Sequence, residues 1–235
     1  MKTALLIVMF MVIEGVSGSQ AVHAAPSIVL DGIGRNMSCR ETVELQNCAA
    51  QSLTTTKGND VIILVVQCPL CSLNNLSIID KMGLTYVQRA YFPNVSYREY
   101  YARTSSPLTL DNITVVFPQS ISLKRIQVFA IKGASREIFD SIPSLPLTVF
   151  CDGMFCSVSI ETSTQDFIIA STLLGDIPAC DVPSGFTHLG NAGGLFEVDY
   201  LIASKNMGTV IFSCSNTEEP IESIVVDAIS FHGPA

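Results

Sequence analysis

The sequence lacks tryptophan and has few charges: Asp, Glu, Lys and Arg together make up 14% of its 235 residues. The 13 basic residues are outnumbered by 21 acidic ones, which gives a formal net charge of −8. Nucleic acids and anionic membranes attract basic surfaces, so this composition argues against both as partners. The absence of tryptophan also weakens a carbohydrate-binding interpretation, because indole is a favoured surface for stacking on sugar rings.

Common signatures of nucleophilic and phosphate-binding sites are missing as well. The sequence contains no G-x-S-x-G motif, and Gly193-Gly194 is too short to form a phosphate-binding loop. Two of its three histidines, His188 and His232, are predicted to be packing or surface residues. We therefore predict a non-enzymatic protein.

The first residues have the pattern of a secretory signal peptide. Met1-Lys2 supplies a positive charge, the apolar run Ala4 to Ile13 follows, and Val22-His23-Ala24 fits the small-x-small rule for cleavage. This predicts a signal peptide over 1–24, with Val16-Ser17-Gly18 as an alternative cleavage site. The apolar run is about half of the roughly 20 residues that span a bilayer. We expect a secreted or cell-surface protein whose mature chain, 25–235, is not inserted in a membrane.

Eight cysteines, an even number, suit an oxidising compartment and predict four disulfides. Pairing each cysteine with a near neighbour gives Cys39–Cys48, Cys68–Cys71, Cys151–Cys156 and Cys180–Cys214, although other connectivities stay open. Cys68-Pro69-Leu70-Cys71 also has the spacing of a redox or zinc motif. We favour a structural disulfide there, because no second ligand pair is spaced to match it.

Four N-x-S/T sequons predict a glycoprotein, if the host glycosylates. All lie in the first half of the chain, at Asn36, Asn75, Asn94 and Asn112.

Short β-branched and aromatic runs separated by Gly, Pro, Asn and Ser predict an all-β fold. The run Leu53–Val66 combines a threonine cluster, a polar turn, Asp60 and an apolar strand, and Thr162–Ile169 repeats that order. Further echoes follow in the same order along the chain, which favours an internal duplication. We predict a single large antiparallel β-sandwich, jelly-roll-like and disulfide-stapled, built from half-repeats at about 25–135 and 136–235. The similar terminal runs Ile28–Ile33 and Ile224–Ile229 are expected to pair in one sheet.

Three acidic residues are the best candidates for a glycoside hydrolase pair. Glu99 lies on a tyrosine-rich predicted strand, and Glu197 and Asp199 lie on its echo in the second half. The alternative is that all three occupy the solvent face of alternating strands. A second possibility is a sugar-binding platform, which requires an exposed, coplanar row of rings from Tyr86, Tyr91, Tyr100 and Tyr101.

Asp31 and Asp227 each interrupt an apolar terminal run. Both could supply oxygen ligands to a structural Ca²⁺, the one cofactor that we consider. Alternatively, each faces water or accepts backbone hydrogen bonds.

The motif order resembles that of secreted archaeal β-sandwich surface proteins. The motifs are V-L-D-G-I-G at 29–34, L-T-T-T-x-x-N-D-V-I-I at 53–63, G-L-T-Y at 83–86, E-Y-Y-A at 99–102 and V-D-A-I-S-F at 226–231. The resemblance spans 26–233 and rests on structural motifs. Some proteins of this general kind form extracellular filaments, in which an N-terminal strand completes the sheet of the next subunit.

We therefore expect a structural protein of the cell surface, such as a filament or coat subunit. Self-association or binding to other surface proteins follows from that role, with glycans as a further partner class. The candidate donor strand consists of Ser27, Ile28, Val29, Leu30, Asp31, Gly32 and Ile33.

Overall fold

The computed structural model describes residues 27–37, 48–68, 76–119, 124–162, 165–174, 180–181, 185–191, 196–203, 208–218 and 220–231. These residues form sixteen β-strands and a short 3-10 turn at Pro93–Val95, with no α-helix among them. The first nine strands are β1 Val29–Ile33, β2 Arg35–Met37, β3 Cys48–Leu53, β4 Val61–Gln67, β5 Ser77–Ile79, β6 Val87–Phe92, β7 Tyr97–Arg103, β8 Asp111–Val116 and β9 Arg125–Lys132. The others are β10 Leu147–Gly153, β11 Phe155–Thr162, β12 Gln165–Leu174, β13 Thr187–Asn191, β14 Phe196–Ile202, β15 Gly208–Ser215 and β16 Ile221–Phe231.

The strands form four sheets, two from each half of the chain. Sheet I has the order β1-β9-β4-β7-β6, and sheet II the order β2-β3-β8-β5. Sheet III has the order β10-β16-β12-β14-β13, and sheet IV consists of β11 and β15. Paired strands within the sheets are antiparallel. In each half the first strand pairs with the last, as in a jelly roll.

Three apolar cores lie between the sheets and show that they are stacked in the order II, I, III and IV. One core lies between sheets I and II and another between sheets III and IV. A third core joins sheet I to sheet III, and the stacked rings of Phe129 and Phe167 lie across it with centroids 6.2 Å apart. Gly190 on β13 also approaches Gln127 on β9 closely, because an added Cβ would lie 2.4 Å from Oε1 of that glutamine. Each half is thus a sandwich, and the two halves share a central core.

This layering explains the apolar runs that the sequence contains. All seven residues of β4 are buried, because Val61, Ile63 and Val65 face the central core while the alternating residues face sheet II. Side chains of successive strand residues point to opposite faces, so a strand buried on both faces has a continuous apolar sequence. β12 occupies the same position in sheet III and is buried from Asp166 to Leu174.

The strand pairing confirms the two half-repeats. β1, β9, β4, β7 and β6 of sheet I have the same order and direction as β10, β16, β12, β14 and β13 of sheet III. The pair β3–β8 likewise corresponds to β11–β15. The predicted antiparallel all-β sandwich fold is confirmed as well, although the structure divides it into two sandwiches that share a central core.

The predicted pairing of the two terminal strands is wrong. β1 pairs with β9 of its own half, while β16 lies between β10 and β12. The similarity of Ile28–Ile33 and Ile224–Ile229 does not mark equivalent strands, because the duplication makes β10 the counterpart of β1.

Two of the predicted disulfides are confirmed, Cys151–Cys156 and Cys180–Cys214. Cys48 and Cys68 are also disulfide-bonded, and their predicted partners, Cys39 and Cys71, lie outside the described residues. The predicted signal peptide lies outside them too. Disulfides indicate an oxidising environment such as the extracellular space. A helix long and apolar enough to cross a membrane is not found in the described part of the chain.

Candidate functional site

Glu197 and Asp199 lie two residues apart on β14, so their side chains point to the same face of sheet III. Phe196, just before Glu197, and Val198, between the two acids, point the opposite way into the central core. On the neighbouring edge strand β13, His188 stands directly opposite Asp199. The register of the β13–β14 pair shifts between His188 and Gly190. The same strand pair places the imidazole beside both carboxylates.

The geometry of this cluster is close. Nδ1 of His188 lies 3.2 Å from Oε1 of Glu197 and 3.2 Å from Oδ1 of Asp199. The His188 side chain is 41% exposed, whereas both carboxylate side chains are fully buried. The backbone N–H of Cys180 donates to Oε2 of Glu197 at 2.8 Å, so the segment held by the Cys180–Cys214 disulfide also contacts the cluster.

Electrostatics in this cluster favour a neutralising partner. Burial, and then the neighbouring charge of Glu197, raises the pKa of Asp199 to about 8. Oδ2 of Asp199 is buried and has no hydrogen-bond partner among the described residues. An imidazole nitrogen and two carboxylate oxygens within 4.8 Å of one another form the one group of three potential metal ligands found among the described residues.

A second buried cluster lies in the central core. Arg89 on β6 donates to Asp227 on β16, with Nε 2.8 Å from Oδ2 and Nη2 3.0 Å from Oδ1. The same guanidinium lies 4.1 Å above the ring of Phe139 and donates to the Leu145 carbonyl at 3.3 Å. Because Arg89 belongs to the first half and the other residues to the second, this ion pair joins the two sandwiches.

Glu99 on β7 is part of the same buried cluster. The Tyr97 hydroxyl donates to Oε2 of Glu99 at 3.0 Å and lies 3.4 Å from the Ser171 hydroxyl of β12. Burial, followed by the neighbouring charge of Asp227, raises the pKa of Glu99 well above its ordinary value. Burial also raises the pKa of Asp227, although Arg89 opposes that shift.

The predicted pairing of Glu99 with Glu197 or Asp199 is wrong. Glu99 faces the central core with Tyr97 and Tyr101, whereas the other two acids point to the opposite face of sheet III, the face that carries Leu201 toward sheet IV. Their expected place on a solvent face is wrong as well, because all three are fully buried.

The register of the duplication explains this outcome. β4 pairs with β7 as β12 pairs with β14, so Phe167 opposite Ile202 corresponds to Val61 opposite Arg103. In that alignment Glu99 corresponds to Val198, and the two acids of β14 correspond to Arg98 and Tyr100, as the same pairings show. The two strands correspond as their sequence echo indicates, but Glu197 and Asp199 lie one residue before and one residue after the position that matches Glu99, so they point to the opposite face.

The predicted row of exposed tyrosines does not form. Tyr100 is 8% exposed, Tyr101 packs edge-on against Phe139, and the Tyr86 hydroxyl is buried. Tyr91 is 38% exposed, and it lies beneath the Arg98 guanidinium. A flat sugar-binding platform made of these rings is therefore excluded.

Asp31 and Asp227 have separate partners, so the predicted joint Ca²⁺ site is not supported. Asp31 accepts hydrogen bonds from the backbone N–H groups of Thr56 and Lys57, at 2.9 and 3.1 Å, and from the Thr56 hydroxyl. These bonds lower the pKa of Asp31 against the opposing effect of burial. Asp31 therefore accepts backbone hydrogen bonds, which is the alternative that the sequence left open.

Three of the four sequon asparagines are described. Asn36 on β2 and Asn94 on the 3-10 turn are exposed, and Asn112 on β8 is partly buried. Asn75 lies outside the described residues. Glycosylation itself stays a prediction.

The candidate donor strand lies at one edge of sheet I. Val29–Ile33 pairs with β9, and Ile28, just before it, is fully buried in the central core. The strand therefore completes the sheet of its own chain.

The sequence-based predictions missed His188 and Arg89 as functional residues. The Glu-Val-Asp order in β14 was a usable signal, because residues two apart on a strand share a face. The contribution of His188 depends on which strand pairs with β14, and the contribution of Arg89 depends on how the two halves pack.

No family model matches the chain, and the comparisons with curated proteins and with solved structures find no significant match. The resemblance to archaeal surface proteins stays a prediction.

Proposed function

We propose that this chain is an extracellular structural protein of the cell surface that self-associates through its N-terminal strand. The observation that carries this proposal is the position of β1 at the edge of sheet I, where β9 is its one neighbour among the described strands. An edge strand can leave its sheet by breaking the backbone hydrogen bonds to one neighbouring strand, whereas a central strand must break those to two. Disulfides within both halves suit a protein that works outside the cell.

The attachment of β1 suits an exchangeable strand. Ile28, just before the strand, is fully buried, while Val29 to Gly32 are partly buried and Ile33 is 41% exposed. Gly34 then marks the passage from sheet I to sheet II, and its N–H donates to the Val128 carbonyl at 2.7 Å. A strand that leaves its own sheet and enters the same place in a second copy keeps every one of these contacts, so exchange costs little enthalpy. Gly34 is the natural hinge for that movement.

The self-association is tested by trapping the exchanged strand. Val29 lies opposite Lys132 in the β1–β9 register. We expect a Val29→Cys chain mixed with a differently tagged Lys132→Cys chain, under oxidising assembly conditions, to form a disulfide between the two chains. Non-reducing electrophoresis detects the crosslinked product by the presence of both tags.

The matched control combines Val29→Cys with Leu147→Cys, which lies on the corresponding edge strand β10 of the second half. That mixture is expected to give no specific crosslink. Deleting residues 25–34 is expected to abolish assemblies. The proposal fails if the deleted protein still assembles, or if the Val29→Cys and Lys132→Cys chains crosslink no more than the control pair.

A further inference from the structure

The cluster of His188, Glu197 and Asp199 does not contribute to strand exchange, since it lies in the second half on the far side of sheet III from the central core. It combines two fully buried carboxylate side chains with one imidazole that reaches solvent. Bringing two carboxylates into a buried site is unfavourable unless a cation or protons neutralise them.

The hydrogen bonds of the chain leave this cluster incomplete. One imidazole nitrogen faces two carboxylate oxygens, although a single N–H can be directed well at only one of them. Glu197 receives a second bond from the Cys180 N–H, but the buried Oδ2 of Asp199 receives none from the described residues. The fully buried Asp199 side chain thus presents Oδ1 to the imidazole and keeps a second oxygen without a partner among the described residues.

The two nitrogen–oxygen distances in the cluster match those between ligands of a small divalent cation. Two ligands with bonds of about 2.1 Å to one ion lie about 3.0 Å apart at octahedral angles and about 3.4 Å apart at tetrahedral angles. Each of the two nitrogen–oxygen distances here is 3.2 Å, within that range. The mixed nitrogen and oxygen donors favour a first-row transition ion over Ca²⁺, which takes oxygen ligands at longer distances.

We propose that His188, Glu197 and Asp199 bind one divalent transition-metal ion, of the Zn²⁺ or Mn²⁺ class, which fastens edge strand β13 to β14. The exposed side of His188 leaves room for water to complete the coordination. The corresponding residues of the first half, Arg98 and Tyr100, supply no carboxylate, so the duplication carries this site once. The expected stoichiometry is one ion per chain.

The test uses the full secreted chain without an affinity tag, treated with EDTA and dialysed. Isothermal titration with ZnCl₂, MnCl₂ or CaCl₂ measures stoichiometry and affinity, and circular dichroism melting measures the accompanying rise in Tm. We expect one Zn²⁺ or Mn²⁺ per chain. His188→Asn and Asp199→Asn are expected to weaken that binding at least about ten-fold and to remove the rise in Tm.

Glu161→Gln is the matched control, because this carboxylate is exposed on β11 in sheet IV, away from the cluster. It is expected to bind as the unmodified chain does. His188 is partly exposed, so His188→Asn tests the site even if the buried Asp199→Asn variant fails to fold. The proposal is overturned if neither Zn²⁺ nor Mn²⁺ binds stoichiometrically, if binding survives in the His188 variant, or if Glu161→Gln weakens it equally.

Discussion

Replacing Arg89 with methionine is expected to lower the free energy of unfolding by about 3–5 kcal/mol at pH 7. The substitution keeps an unbranched side chain of similar length but leaves Asp227 without its two charge-assisted hydrogen bonds. Asp227 thus loses its cation in a buried environment, while the acid Glu99 remains beside it in the central core. Urea unfolding followed by far-UV circular dichroism measures the loss.

The control for this substitution is Arg98→Met. Arg98 stacks on the exposed Tyr91 and donates to Gln88 at 2.8 Å on the surface, where such contacts contribute about 0.5–1 kcal/mol. The double variant Arg89→Met with Asp227→Asn removes the uncompensated charge and is expected to recover part of the loss. A loss from Arg89→Met no larger than that from Arg98→Met would show that the ion pair does not stabilise the contact between the halves.

The protein is expected to become more stable as the pH falls from 8 to about 5, by about 2–4 kcal/mol. Glu99, Asp227 and Asp60 are fully or almost fully buried, and burial is the largest cause of the raised pKa of each. For Asp60 the pKa rises from 3.8 to about 7, with Asp31 adding to the effect and Lys132 opposing it. Arg89 and the Tyr97 hydroxyl oppose the rise for Glu99.

The sign follows from proton binding. A carboxyl whose pKa is higher in the folded protein holds its proton more tightly there than in the unfolded chain. Its stabilising effect is complete below the unfolded pKa, 3.8 for Asp or 4.5 for Glu, and is lost as the pH rises through the folded pKa. Asp31 acts in the opposite sense, because its lowered pKa contributes stability above 3.8 that is lost in stronger acid. The free energy of unfolding is therefore expected to be highest near pH 4–5.

Urea unfolding at pH 5, 6, 7 and 8 measures this dependence, with EDTA present so that metal binding does not contribute. Glu99→Gln replaces the acid with a neutral group of the same shape, so its stability is expected to change less with pH. Glu161→Gln, on an exposed position, is expected to leave the dependence unaltered. A stability that rises steadily from pH 5 to pH 8 would contradict the prediction.

Much of the fold could be predicted because strands leave local signals. The apolar run Val61–Val66 is β4 with one residue added, and its repeat around Phe167 lies in β12. Turn residues and β-branched runs identify such strands directly.

The candidate sites were less predictable, because they depend on which face a side chain occupies. The sequence identified Glu99, Glu197 and Asp199 as unusual acids, but a difference of one residue between their positions in the repeat places them on opposite faces. His188 joins the cluster through the pairing of β13 with β14, and Arg89 reaches Asp227 through packing between sheets I and III. Neither contact can be recognised from the local sequence.

The sequence by itself determined that this protein is all-β, duplicated and held by disulfides, because strand periodicity, turn residues and cysteine spacing act over short distances. The tertiary structure alone decided that the halves share a central core and where the buried acids lie. Those outcomes depend on contacts between residues far apart in the chain, such as Arg89 with Asp227, and similar local sequences can occupy either face of a sheet.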